Sequence, residues 1–225
     1  MTKALVLFSG GQDSTTCLAW AQFAYEEVEA FSVQYGQRHL VEMEAAGRIA
    51  ELLGIPHSTF SLPDFGALVD SSLTGSTGQD VNEPHPRNEK LPSSWVPNRN
   101  AMMLTLAHAY AQRIGAEVIV GGMCSTDYSG YPDCRPVFIE AMQLALNAGA
   151  ESAIEIVTPL MHLTKAKTFA FAADLGQLDL VIEHSHTCYN GVRDRHPWGY
   201  GCAACPACLL RSKGWDEYQQ QLATA

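Results

Sequence analysis

An apolar run, Ala4-Leu5-Val6-Leu7, feeds directly into Phe8-Ser9-Gly10-Gly11-Gln12-Asp13-Ser14. A short aliphatic run that ends in a glycine pair reads as a buried parallel strand entering a tight turn. After the turn, Thr15-Thr16-Cys17-Leu18-Ala19-Trp20 takes up helix-like apolar spacing, which puts the turn at a helix N-terminus. Gly10 and Gly11 let successive backbone N–H groups converge with no Cβ in the way, and Ser9 and Ser14 add hydroxyl donors. An anion placed there meets unpaired N–H groups and the positive end of the helix dipole. The turn reads as a phosphate cradle; a Gly-rich strand–helix turn with no ligand is the alternative. The candidate nucleotide-binding stretch comprises Phe8, Ser9, Gly10, Gly11, Gln12, Asp13, Ser14, Thr15, Thr16, Cys17 and Leu18, of which Cys17 also reads as a small core residue. A Walker-type loop is excluded, because its lysine is missing here.

Strand-like and helix-like segments then alternate along the chain. Strands are predicted over 28–34, 58–62, 117–121 and 154–158. Helices are predicted over 41–53, stopped by Gly54-Ile55-Pro56, and over 100–114, 135–148 and 164–175, the last with Thr164 as N-cap. With the first strand this gives a doubly wound, five-stranded parallel sheet of α/β class. Ligands on such sheets bind beyond the carboxyl ends of the strands, so Gly10-Gly11 and Gly121-Gly122 belong on one edge. Residues 63–96 break the pattern: they are rich in Gly, Ser, Pro and acidic residues, poor in periodicity, and read as a long binding loop or lid. The division expected is a Rossmann-like unit over 1–182 and a small C-terminal segment over 183–225.

The 225 residues are 47% hydrophobic, with net charge −10. Such a length suits one well-buried domain. The acidic balance argues against extensive phosphate-backbone contact, so a small-molecule substrate is expected and no direct nucleic-acid binding. No run is apolar enough to span a bilayer, and no secretory leader is read, so the expected location is the cytoplasm. Seven cysteines in that setting point to metal ligation before disulfides. Cys202, Cys205 and Cys208 stand at even spacing, with Cys188 upstream and Pro206 opening a helix. Four thiolates close a tetrahedral structural site for one Zn²⁺ per chain. An iron–sulfur cluster is the competing reading.

In order along the chain come Ser9-Gly10-Gly11-Gln12-Asp13-Ser14, Tyr35-Gly36-Gln37-Arg38-His39, Val96-Pro97-Asn98-Arg99-Asn100, Asp127-Tyr128-Ser129-Gly130-Tyr131-Pro132-Asp133-Cys134-Arg135, Thr158-Pro159-Leu160 with Thr164-Lys165, and Thr187-Cys188-Tyr189-Asn190-Gly191. The C-x-x-C-x-x-C-x-x-R run ending at Arg211 closes the series. The first stretch resembles the pyrophosphate loop of ATPases that split ATP into AMP and pyrophosphate, and the whole series resembles the 7-cyano-7-deazaguanine synthase (QueC) family over essentially the full chain. Asn98 and Ala203 depart from it, standing where glycine is expected. The resemblance implies an adenine nucleotide alpha hydrolase-like fold. It also implies a structural zinc, a homodimer, and conversion of 7-carboxy-7-deazaguanine, ammonia and ATP with Mg²⁺ to the 7-nitrile, in the biosynthesis of queuosine. Asp13 would hold Mg²⁺.

Arg99 and Lys165 are the candidate phosphate contacts, each a cation near a predicted helix start on the binding edge; solvated helix charges are the alternative. Just past the strand ending at Gly121, the carboxylates of Asp127 and Asp133 and the cation Arg135 are placed to read a base, with Tyr128 or Tyr131 stacking on it. An ordered loop is the alternative. Two rival functions stay open: another ammonia-dependent adenylating synthetase, such as NAD synthetase or a tRNA-thiolating enzyme, and a non-catalytic zinc-bearing binding protein. The Cys₄ set disfavours NAD synthetase, the modest size and acidic charge disfavour the thiolating enzyme, and the intact loop disfavours a protein without catalysis.

Overall fold

The computed structural model describes residues 2–74, 78–126 and 131–224. The first apolar run becomes β1 (Lys3–Leu7), whose Ala4, Leu5 and Val6 are wholly buried. Burial on both faces is what a central parallel strand requires. Next come α1 (Gln12–Ala24), β2 (Glu27–Gln34), α2 (Val41–Leu53) and β3 (His57–Ser61). A 3-10 helix (Pro63–Leu68) and a hairpin of β4 (Pro84–His85) and β5 (Asn88–Pro92) lead to α3 (Arg99–Ile114) and β6 (Val118–Val120). A 3-10 turn (Pro132–Cys134), α4 (Pro136–Ala150), β7 (Glu155–Val157), α5 (Lys165–Asp174) and α6 (Leu178–His184) follow. The chain ends in a second hairpin, β8 (Arg195–His196) with β9 (Gly199–Tyr200), and in α7 (Pro206–Thr224).

The main sheet is five-stranded and all-parallel in the order β3-β2-β1-β6-β7. Strand alternation sends Leu5 into a core with Phe31, Val33, Leu104 and Ile119 on one face. Ala4 and Val6 pack on the other with Leu18, Ala30, Ile49 and Val118. The order reverses between β1 and β6, so the crevice beyond their carboxyl ends is the switch point where such sheets take ligands.

Local chemistry sets the helix ends. Gly54 stops α2 in the left-handed region at φ 65°, with its N–H and that of Ile55 returning to Glu51 and Ala50 carbonyls. Thr164 caps α5, its hydroxyl accepting from the Lys167 N–H at 3.4 Å. Several elements escape the sequence reading. The helix α6 is only seven residues long, too short to show a period. Residues 63–96 are not featureless: among the described ones are the 3-10 helix and the β4–β5 hairpin. Ser71, Ser72, Ser93 and Ser94 are buried there. The Ser72 N–H donates to the Ser93 carbonyl at 2.9 Å and the Ser93 hydroxyl to the Asp80 carbonyl at 2.7 Å. Polar bonding holds the segment together with the buried Leu73, Val81, Leu91 and Val96, three of which join the main core.

The C-terminal segment shares the main core. Trp198, Cys205, Cys208 and Tyr218 belong to the cluster that holds Phe169 and Val181. Helix α7 crosses α5 closely at Gly214, where a Cβ would lie 2.3 Å from that of Lys165.

Candidate functional site

A cavity of about 290 Å³ opens at the switch point, near the lower end of the range for ligand pockets. The turn before α1 forms its floor. Gly10 sits at φ 83°, and a Cβ on it would strike the Glu42 carbonyl at 2.4 Å, so only glycine lets the loop nest against α2. Across the crevice, a Cβ on Gly122 would lie 3.1 Å from the Ser14 nitrogen. The two glycine turns therefore meet at the start of α1, as their strands' positions require. Ser14 ties the loop together: its hydroxyl donates to the Gly11 carbonyl and accepts from the Ser9 N–H, each at 3.2 Å.

Phe8, Ser9, Gly11, Gln12, Asp13 and Ser14 line the cavity. Thr15, Thr16, Cys17 and Leu18 do not line it. They form the next helical turn, with Thr16 bonded to the Gln12 carbonyl, the Cys17 thiol turned toward the Gly121 carbonyl at 3.8 Å, and Leu18 in the core. Burial pushes the Cys17 thiol up, with the charge of Asp13 adding to it, as suits a packing residue.

Lys165 and Arg99 both reach the cavity. The Lys165 ammonium lies 2.5 Å from Asp13 Oδ2 and is only 8% exposed, so it is no solvated helix charge. The other carboxylate oxygen, Asp13 Oδ1, is buried without a partner, as are both polar atoms of the Gln12 side chain and both ring nitrogens of His186. Orphaned polar atoms converging on one cavity mark a place for a polar ligand. Arg99 lies over the Tyr35 and Tyr131 rings, 6.0 and 5.8 Å from their centroids.

Among the base readers, Asp127 and Tyr128 fall outside the described residues. Tyr131 lines the cavity and shares hydrogen bonds with Ser94 at 2.8 Å and Tyr189 at 3.4 Å. Asp133 is buried under α3, where its Oδ2 accepts from the Asn100 N–H at 3.1 Å; it serves the helix start and does not line the cavity. Arg135 is exposed, stands at the N-cap of α4 and lies away from the cavity.

Several lining residues carried no role in the sequence reading: Tyr35, Glu42, His186, Thr187 and Tyr189. All but Glu42 and His186 lie within the stretches that carry the family resemblance, and that was the available signal. Glu42 has its Oε1 3.7 Å from the ideal Cβ position of Gly11. Burial pushes its carboxyl up to about 7, against the pull of the Arg99 guanidinium. Burial likewise holds His186 down at about 4, so its imidazole is neutral.

Cys188, Cys202, Cys205 and Cys208 come together with their four sulfurs within 4.8 Å of one another. Tetrahedral thiolates about 2.3 Å from a metal stand roughly 3.8 Å apart, and Cys202 and Cys208 are 3.9 Å apart. The Cys205 N–H donates to the Cys202 sulfur at 3.2 Å, the pattern of a metal-binding knuckle. Hydrogen bonds from the Cys205 and Cys208 thiols pull the Cys188 thiol well below its ordinary range, which favours a thiolate before any metal arrives. The donor set fits a closed structural site.

A family model described as queuosine biosynthesis protein QueC matches residues 3–219. The chain belongs to the QueC family. A 7-cyano-7-deazaguanine synthase from Wolinella succinogenes is 53% identical, over 98% of this chain and 95% of its own. Another from Nitrobacter hamburgensis is 50% identical, over 96% and 94%. A solved structure titled as a 4-thiouridine synthetase–RNA complex with bound ATP aligns with 97% of this chain and 50% of its own, at TM-score 0.51 and 13% identity, a likeness of fold alone. In this QueC chain the two departures from expected glycine, Asn98 and Ala203, sit at φ 57° and 54°. Both occupy the left-handed region, which explains why glycine is expected there and why asparagine suits it better than alanine.

Proposed function

We propose that this enzyme converts 7-carboxy-7-deazaguanine and ammonia to 7-cyano-7-deazaguanine at the expense of two ATP, through an adenylated acid and an adenylated amide. The observation that carries the reading is the convergence of the phosphate loop, the Lys165–Asp13 pair and Arg99 on one cavity. A carboxylate is a poor electrophile, so its oxygen first attacks the α-phosphorus of ATP and pyrophosphate leaves. The α1 N-terminus, the loop hydroxyls and Lys165 face the charge that develops on the leaving group. Asp13, with one oxygen on Lys165 and the other orphaned, is the residue to hold Mg²⁺, which would neutralise the same charge. Ammonia displaces AMP to leave the amide. The amide oxygen is adenylated in turn, and loss of the remaining N–H proton with AMP leaves the C≡N bond. Glu42, beside the loop with a carboxyl poised near neutrality, is the group placed to take that proton. Tyr131 offers an aromatic face to the base.

The four cysteines, with their sulfurs within 4.8 Å of one another, would hold one structural Zn²⁺ apart from these steps. An acidic chain of net charge −10 supports small-molecule substrates and no direct contact with nucleic acid. No described helix is long and apolar enough to cross a membrane. A second copy packs on α4, whose Val137 and Leu144 side chains stand 68% and 74% exposed on a helix with Glu140 as its one charged residue. The decisive assay is pyrophosphate release from ATP. It should require 7-carboxy-7-deazaguanine with ammonia and yield the nitrile by mass; release with nicotinic acid adenine dinucleotide instead would replace this reading with NAD synthesis.

A further inference from the structure

Arg211, one turn beyond the last cysteine, is the largest side chain in the fold to be almost wholly buried, at 1% exposure. Its three donating nitrogens are all used: Nε on the Trp198 carbonyl at 2.9 Å, Nη2 on the Val181 carbonyl at 2.9 Å, and Nη1 on the Thr187 hydroxyl at 3.2 Å. None of these acceptors carries charge. The anionic groups that act on the guanidinium, Asp13 and the Cys208 thiol, do so without a hydrogen bond to it.

The hydroxyl of Thr187 completes the observation. It also accepts the N–H of Gln12, the first residue of α1, at 3.2 Å. A hydroxyl has two lone pairs and one proton. Arg211 and Gln12 occupy both lone pairs, so the proton points to a third partner, and no acceptor for it is found among the described residues. Thr187 lines the cavity beside Gln12, Asp13 and Lys165. Gln12, 1% exposed with both side-chain polar atoms buried and orphaned, lines the same cavity.

We propose that the Thr187 hydroxyl donates to a phosphate oxygen of the bound nucleotide, with Arg211 as the positioning residue that turns it there. The phosphates in turn add negative charge at the end of the cavity where Arg211 and Asp13 already face one another. Thr187 adjoins Cys188, and Arg211 follows Cys208 by three residues, so the metal cluster grips both partners of the relay. The cysteine segment is thereby a working wall of the phosphate site as well as a clamp on the fold.

The proposal rests on the ATP-splitting reading, and the test separates the two. Binding of pyrophosphate with Mg²⁺ to the metal-loaded protein is measured by calorimetry, alongside metal content and melting temperature. Thr187→Val should weaken binding roughly ten- to a hundredfold, the range for a lost hydrogen bond to a charged oxygen. Thr187→Ser, which keeps the hydroxyl, should stay within about threefold of wild type. Wild-type affinity in the valine variant overturns the proposal, as does an equal loss in the serine and valine variants. If Thr187→Val loses its metal, Thr187→Ala is titrated and judged by the same thresholds. The positioning role is read from a double-mutant cycle: Arg211→Lys should weaken binding in the wild-type background and add little beside Thr187→Val. Additive losses overturn it. A wild-type protein that binds neither pyrophosphate nor ATP would sink the ATP-splitting reading itself, and the relay with it.

Discussion

At the scale of single residues, the contact between Asp13 and Lys165 changes what a mutation there can report. The ammonium is 8% exposed, and its carboxylate partner is 2.5 Å away. Asp13→Ala would leave a buried cation without that carboxylate, at about 3–5 kcal/mol of stability, so lost activity would be confounded with lost fold. Asp13→Asn keeps an oxygen for Lys165 and removes the charge that Mg²⁺ needs. We expect it to stay folded at a smaller cost in stability than the alanine variant, since Lys165 keeps a hydrogen-bond acceptor, and to lose at least about a hundredfold in ATP turnover; a rate above a tenth of wild type would count against the loop as the pyrophosphate site. Glu42 supplies a prediction with a definite sign. Its carboxyl rises from an ordinary 4.5 to about 7 on folding. Between those values the folded state binds the proton and the unfolded state does not, so stability falls as pH rises through that window. Glu42→Gln cannot titrate. Measured by denaturant melts, the stability difference between variant and wild type should shift toward the variant by roughly 2–3 kcal/mol from pH 4 to pH 8. A constant difference across that range would show that Glu42 is not held protonated.

Elements differ in how plainly the chain announces them. Helix α2 shows a 3.6-residue period and ends at a left-handed glycine, and α5 has a capping threonine, so their limits are legible residue by residue. The loop before α1 and the cysteine triplet are legible because their parts are adjacent in the chain. Glu42 and Thr187 are not, since only the parallel sheet brings α2 and the segment after α6 to the start of α1. Residues 63–96 read as an aperiodic loop because Leu73, Val81, Leu91 and Val96, the aliphatics buried there, fall at no regular spacing, and buried serines with backbone bonds leave no periodic trace. That segment touches the site: Leu73 lines the cavity, and Ser94 bonds Tyr131 within it. We expect it to close over ATP, shielding the acyl adenylate from water. Limited proteolysis should cut within 63–96 and be suppressed by ATP and the carboxylic acid together; equal resistance with and without ligands would make the segment a fixed wall. The metal segment gives the complementary test. Purified protein should carry about one zinc per chain, and removing it by chelation or by Cys205→Ser should lower the melting temperature and open residues 183–224 to protease, since metal binding supplies folding free energy there. Iron with visible absorbance, or full stability without metal, would refute the zinc assignment.

For the whole molecule, the distribution of charge and apolar surface decides how copies meet. A net charge of −10 makes copies repel at long range, so association needs a face free of charge. Helix α4 comes near to one, with the exposed Glu140 at the edge of an otherwise uncharged stripe. Only Ile139 of its residues is buried, and Val137, Ala141, Leu144, Ala145 and Ala148 are exposed at the spacing of a single helical stripe. The alanines permit close approach of two backbones, and a helix crossing its own symmetry mate makes the isologous contact from which most homodimers are built. Such a stripe left in water would be a liability that soluble monomers rarely carry. Because Val137 and Leu144 lie 68% and 74% exposed, replacing them disturbs little within their own chain. Light scattering after gel filtration should therefore report a dimer of the 24.5 kDa chain. Val137→Glu with Leu144→Glu should convert it to a monomer that keeps its metal content and its affinity for pyrophosphate. A monomeric wild type at tens of micromolar, or a charged variant that still pairs, would place the interface elsewhere or remove it, and α4 would then be an apolar face without a partner.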